Sequence, residues 1–237
     1  MSLPLPWPVS AVNEQFVRDF VKFTSYTEGR DKLYRVTQYA SRFLLWYFTR
    51  YGGPDTTVQK VQQLEAAVTT SRKLFRMFRS MEFAQRAVDA LQQTDDIQRF
   101  LTLIGFTGKA LWLLIDHLVW LGRTKICDVD IKKWGQRSAW YWLVALLSLT
   151  LNDLRKIQLL TRQAEALKRE GLMKSNQGVE LKRDMHKARL GLMVNLSDVW
   201  IPVSVLGYVS KGLGSMGGVI ASVTAIHLVW NKNVHGK

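Results

Sequence analysis

The chain has 237 residues, 47% of them apolar, enough to build a sizeable buried core and to exclude wholesale disorder. The 33 Lys and Arg against 19 Asp and Glu give a formal net charge of +14, which points to a polyanionic partner: nucleic acid or the anionic face of a membrane. A single cysteine, Cys127, excludes an intramolecular disulfide framework and a Cys-rich zinc module. No proline falls between Pro54 and Pro202, so helices run uninterrupted and a loop-rich β fold is disfavoured. The start, MSLPLPWPVS, lacks a basic n-region ahead of an apolar run, so no secretory signal is expected. The end, NVHGK, is neither a peroxisomal matrix tripeptide nor a prenylation box.

Taken in chain order, Ser10 is placed to cap a first helix through about Phe23, with Val12, Phe16, Val17, Phe20 and Val21 at helical spacing. Ser25-Tyr26-Thr27-Glu28 has capping-box spacing and opens a second helix to about Tyr51, where Gly52-Gly53-Pro54 stops it. Asp55 or Thr56 caps a third, long pattern reaching about Gln92. Thr94-Asp95-Asp96 restarts the chain into an apolar segment, Ile97–Gly122, and a polar linker from Arg123 to Asp130 leads to Ser138–Leu151. Asn152 to Arg189 is helical in pattern and basic, with ten Lys and Arg against five acids. From Leu190 to Trp230 the chain is apolar again. Sustained period-two alternation is missing, so the predicted fold class is all-α, with five to seven helices.

A spanning helix needs about 20 mostly apolar residues, and Gly212–Trp230 has 19 without a formal charge. Leu190–Ser210 is nearly as apolar but holds Asp198 and Pro202; the two segments would make a hairpin with Lys211 at its tip. Lys109 and Asp116 lie seven residues apart in Ile97–Gly122, so that face should meet protein or water rather than lipid. Ser138–Leu151, with 14 residues, suits a buried or interfacial helix. For these two middle segments, the core of a soluble bundle is the alternative. Gly214, Gly218 and Ser222 line one face of the last segment, a pattern that lets membrane helices approach closely and marks a candidate self-association face.

Ser71–Leu91 reads SRKLFRMFRSMEFAQRAVDAL. On a helical wheel Leu74, Met77, Phe78, Met81, Ala84, Val88 and Leu91 form one apolar sector, with Arg72, Arg76, Arg79 and Arg86 opposite and Lys73 at its edge. Such a helix lies in a membrane interface, its cations on headgroups and its apolar face at the acyl boundary. The competing reading is a bundle helix with a solvated basic face. Enzyme chemistry finds no support: there is no phosphate loop, no His-Glu-x-x-His and no nucleophile elbow, and no cofactor is expected. Asp116 and His117 diverge on a helix, and His186, His227 and His235 have no partner at metal spacing, so no metal site is expected. Nucleic-acid binding has charge in its favour but no fold signature.

GRDKLYRVTQYA (29–40), SRKLFRMFR (71–79), DHLVWL (116–121), KKWGQRSAWYWLVALLSL (132–149) and NLSDVWIP followed by GLGSMGGVIASV occur in the order seen in one family. Together they resemble the peroxin-eleven family of peroxisomal membrane-elongation proteins. Met77-Phe78 stands where that family usually has Leu-Gly, and the basic stretch before the last segment is compact. The resemblance implies a membrane-associated helical bundle that binds an anionic phospholipid membrane, forms homo-oligomers and elongates the peroxisome before fission. It implies a dynamin-type GTPase with its membrane adaptors, and a peroxisomal membrane-protein import receptor, as partners, and no nucleic acid. Carried over, Arg72, Lys73, Arg76 and Arg79 would contact headgroups while Leu74, Phe75, Phe78 and Met81 insert. The expected division is 1–93 cytosolic amphipathic helices, 94–151 apolar middle helices, 152–189 a basic cytosolic helix, 190–230 a membrane hairpin and 231–237 a cytosolic tail. A solute channel lined by Lys109 and Asp116, and an adaptor or RNA-binding role, are the alternatives.

Overall fold

The computed structural model describes residues 13–236; the expected Ser10 cap, Val12 and Lys237 lie outside the described residues. It is all-α, with no strand among the described residues. The helices are α1 (Glu14–Ser25), α2 (Thr27–Tyr51), α3 (Asp55–Phe75), α4 (Arg79–Asp89), α5 (Asp96–Arg123), α6 (Ile131–Arg169), α7 (Asn176–Val205) and α8 (Lys211–Asn233). Among the described residues, eight helices exceed the expected five to seven because the long pattern after Asp55 breaks at Arg76–Phe78.

Local chemistry sets most of the ends. The Asn13 side chain accepts the amides of Gln15 and Phe16 and starts α1. Ser25 does not form the expected capping box. Its hydroxyl donates to the Lys22 carbonyl, closing α1, and Tyr26 takes the N-cap of α2 without a side-chain bond. Gly52 ends α2 at φ 83°, a conformation glycine enters without Cβ strain, and donates to the Phe48 carbonyl. Asp95 and Asp130 accept the amides of Gln98 and Lys133 and start α5 and α6. No Gly or Pro interrupts residues 136–170, so α6 runs through the expected 151/152 boundary as one helix of 39 residues. Gly171, at φ 73°, turns the chain instead, and α7 then runs through 189/190 to Val205.

In space, α3, α2, α8, α7, α6, α5 and α4 follow one another as neighbours, and α3 also touches α5, closing a ring. Small residues allow the close contacts. Gly105 and Gly108 of α5 admit Leu149 and Ala145 of α6, and the Trp112 and Trp142 rings stack at 4.6 Å between the same helices. The turn at Leu206–Ser210, with Gly207 at φ 89°, folds α7 and α8 into a hairpin, and Lys211 begins α8. Among the described residues, α5 and α8 are long and apolar enough to cross a membrane.

Candidate membrane interface

Ser71–Leu91 is two helices at an angle. Helix α3 ends at Phe75, Met77 donates to the Leu74 carbonyl at 3.0 Å, and Phe78 sits at φ 65°, ψ −5° before α4 begins. A left-handed backbone at a bulky aromatic residue is sterically costly. The break reverses what a single wheel implies. Leu74, Phe75, Phe78 and Met81 are 48, 50, 75 and 72% exposed, whereas Arg72 and Lys73 are only 4 and 8% exposed.

The basic side chains point inward because carboxylates wait for them. Arg72 donates from Nε to Asp31 at 2.9 Å and also bonds Gln38; Lys73 pairs with Asp116, which also receives Arg76 at 2.8 Å. Arg79 lies 3.9 Å from Asp31. Burial alone would raise the Asp31 carboxyl, but the Arg72 guanidinium holds it at about 2. Burial pulls the Lys73 ammonium down to about 8, with Asp116 opposing. On α4, Ser80 and Ala87 face the interior, as does Ala90 just after it, and Phe83 stacks on Phe106 of α5 at 6.0 Å. The bundle helix with a solvated basic face is therefore inverted: the apolar sector faces out and most of the basic one is neutralised within. Exposed Val88, Leu91, Ile97 and Phe100 add apolar surface beyond Met81.

The model of the family described as peroxisomal biogenesis factor 11 (PEX11) matches residues 17–230, nearly the whole chain. The chain belongs to the peroxisomal biogenesis factor 11 family. Its similar relatives include peroxisomal membrane protein 11B of Pongo abelii, 26% identical over 87% of this chain and 94% of the relative. Peroxisomal membrane protein PMP27 of Saccharomyces cerevisiae is 29% identical over 90% of this chain and 94% of its own length. Human peroxisomal membrane protein 11B is 30% identical over 68% of this chain and 62% of the relative. No solved structure matches.

Within this family member, the small-residue face of α8 is occupied by its own chain. A Cβ on Gly218 would enter the Tyr39 ring of α2, one on Gly214 would strike Ser204 of α7, and Ser222 is fully buried, donating to the Gly218 carbonyl. The face thus serves α2–α8 and α7–α8 packing. Asp116, one half of the charged stripe read along α5, is taken up by Lys73 and Arg76, as a packed polar contact. Asp198, the charge in the first arm of the hairpin, pairs with Arg35. Sequence reasoning passed over the α2 side of these contacts. Asp31, Arg35, Gln38 and Arg42 fall at i, i+4, i+7 and i+11, a polar stripe on one helical face that could have been read as a partner for the cations of α3. Among the described residues no group of three or more His, Cys, Asp or Glu is placed to hold a metal ion.

Proposed function

We propose that this chain is a peroxisomal membrane protein that seats the apolar ridge at the α3–α4 break in the cytosolic leaflet, curving and elongating the organelle membrane ahead of fission. The observation that carries this reading is Phe78, a large aromatic held three-quarters exposed on a costly left-handed backbone, flanked by Leu74, Phe75 and Met81. Names given to the relatives, peroxisomal membrane proteins, supply the organelle.

Each large apolar side chain gains about 1.5–3 kcal/mol when fully removed from water, less at an interface, so four together give useful but reversible binding. Exposed Arg86 is the cation nearest headgroups in this arrangement, while Arg72, Lys73 and Arg76 fix the ridge by gripping Asp31 and Asp116. Homo-oligomers form through outward surfaces in this reading, since α2 and α7 fill the Gly214–Gly218–Ser222 face. A dynamin-type GTPase, its membrane adaptors and the import receptor for peroxisomal membrane proteins are its partners.

The test is imaging of peroxisomes in cells overproducing the chain, followed by alkaline carbonate extraction. Elongated organelles with the protein left in the membrane pellet are expected. Organelles of normal shape, or a protein released by carbonate, would overturn the proposal.

A further inference from the structure

At the centre of the helical ring lies a cavity of about 140 Å³ walled by α2, α3, α4, α5, α6 and α7. Six cations line it, Lys32, Arg35, Arg72, Arg76, Arg79 and Lys109, against two carboxylates, Asp31 and Asp198. The pairing leaves a remainder. Asp31 is taken by Arg72, Asp198 by Arg35, and Arg76 leaves the cavity for Asp116, while Arg79 stands 3.6 Å from Glu82 and 3.9 Å from Asp31. Among the described residues, Lys32 and Lys109 have no carboxylate within 4 Å; Lys109 lies 5.7 Å from the Phe83 ring, with Asp198 and Asp153 acting on it at longer range. Trp112, Trp142 and Leu113 complete the wall, lowering the local dielectric and strengthening the field of the cations.

Concentrated, incompletely neutralised positive charge inside a protein is unfavourable unless an anion joins it. We propose that this cavity is an anion site for a phosphate group, held by Lys32 and Lys109 together with the free donors of Arg79 and Arg35. A tetrahedral oxyanion offers several acceptor oxygens to guanidinium and ammonium donors arriving from different helices, which this ring supplies from α2, α4 and α5. Burial pulls the Lys32 ammonium down to about 8, with Arg35 adding to it and Asp31 and Glu28 opposing. The phosphate belongs either to a lipid headgroup or to a soluble phosphate compound. The site does not depend on the wedge at Phe78, and its test does not involve membrane shape.

The experiment uses the full chain, purified in a neutral detergent, and follows thermal unfolding together with the fluorescence of the cavity tryptophans. Inorganic phosphate at millimolar concentration should raise the midpoint by several degrees, and chloride at matched ionic strength should not. Nanodiscs of phosphatidylcholine with phosphatidic acid, compared with phosphatidylcholine alone, form the second arm. Stabilisation by phosphatidic acid without a response to free phosphate identifies a headgroup, and the reverse identifies a soluble ligand. Lys32→Met with Lys109→Met should remove either response. It should leave the ligand-free midpoint equal or higher, because two repelling charges are gone. Lys168→Met with Arg169→Met, exposed at the end of α6, should respond like the unaltered chain. Equal effects of phosphate and chloride with no preference for phosphatidic acid would overturn the proposal, as would a Lys32/Lys109 variant that keeps the full response.

Discussion

Asp31 shows how one side chain organises the segment that reads as most functional. Its carboxylate meets Arg72 in the buried contact between α2 and α3, so Asp31→Asn leaves a buried guanidinium with amide oxygens as partners and no carboxylate to balance its charge. Removing one member of a buried pair typically costs about 3–5 kcal/mol, and a thermal midpoint lowered by many degrees is expected. The same pair sets an acid limit. The folded carboxyl titrates at about 2, below its ordinary value of 3.8, so its contribution, roughly 2 kcal/mol, is complete above pH 4 and lost as the pH falls towards 2. Tryptophan fluorescence followed from pH 6 to pH 2 should show the loss in the unaltered chain, and a shallower one in Asp31→Asn. Phe78 makes the opposite case. Replacing it with glycine relieves about 1 kcal/mol of left-handed backbone strain while removing a three-quarters-exposed aromatic, so Phe78→Gly should unfold at a higher temperature and bind anionic vesicles less. A variant that is less stable, or that binds as well as before, would contradict this.

Between elements, the packing of α8 is the sharper test. Gly218→Leu drives a side chain into Tyr39, and overpacking of this kind costs typically 1–3 kcal/mol. The expected outcome is faster proteolysis and a lower midpoint, with the yield of cross-linked dimer per folded chain unchanged; a selective fall in dimer yield would return this face to self-association. Much at this scale was legible beforehand. Helical periodicity, Gly52-Gly53-Pro54 and Asp95 located α2 and α5, and the charge-free run located α8, because those signals are local. Two things were not legible. The break at Met77-Phe78 has no Gly or Pro to announce it, and it is held by Arg72 and Lys73 gripping carboxylates 41 and 43 residues away. The glycine stripe was visible, but only packing tells whether the helix it receives belongs to the same chain or to another.

Over the whole molecule, the ring of helices draws Arg35, Arg72 and Lys73 inside and turns an apolar ridge outwards at the α3–α4 break. In the proposed arrangement, with α7 and α8 entering and leaving the bilayer on one side, both termini are expected in the cytosol. Protease added to intact peroxisomes should remove tags from either end, and a protected C-terminal tag would leave α8 as a single crossing. The measurement closest to the central claim is reconstitution of the full chain with small anionic vesicles, viewed by electron microscopy beside Phe78→Glu with Met81→Glu. Both positions are more than 70% exposed, so the double variant keeps its fold by circular dichroism while placing two carboxylates on the crest of the ridge. The unaltered chain should draw vesicles into tubules and the variant should leave them round. Tubules of equal number and width from both proteins would show that the ridge at the α3–α4 break is not what bends the membrane.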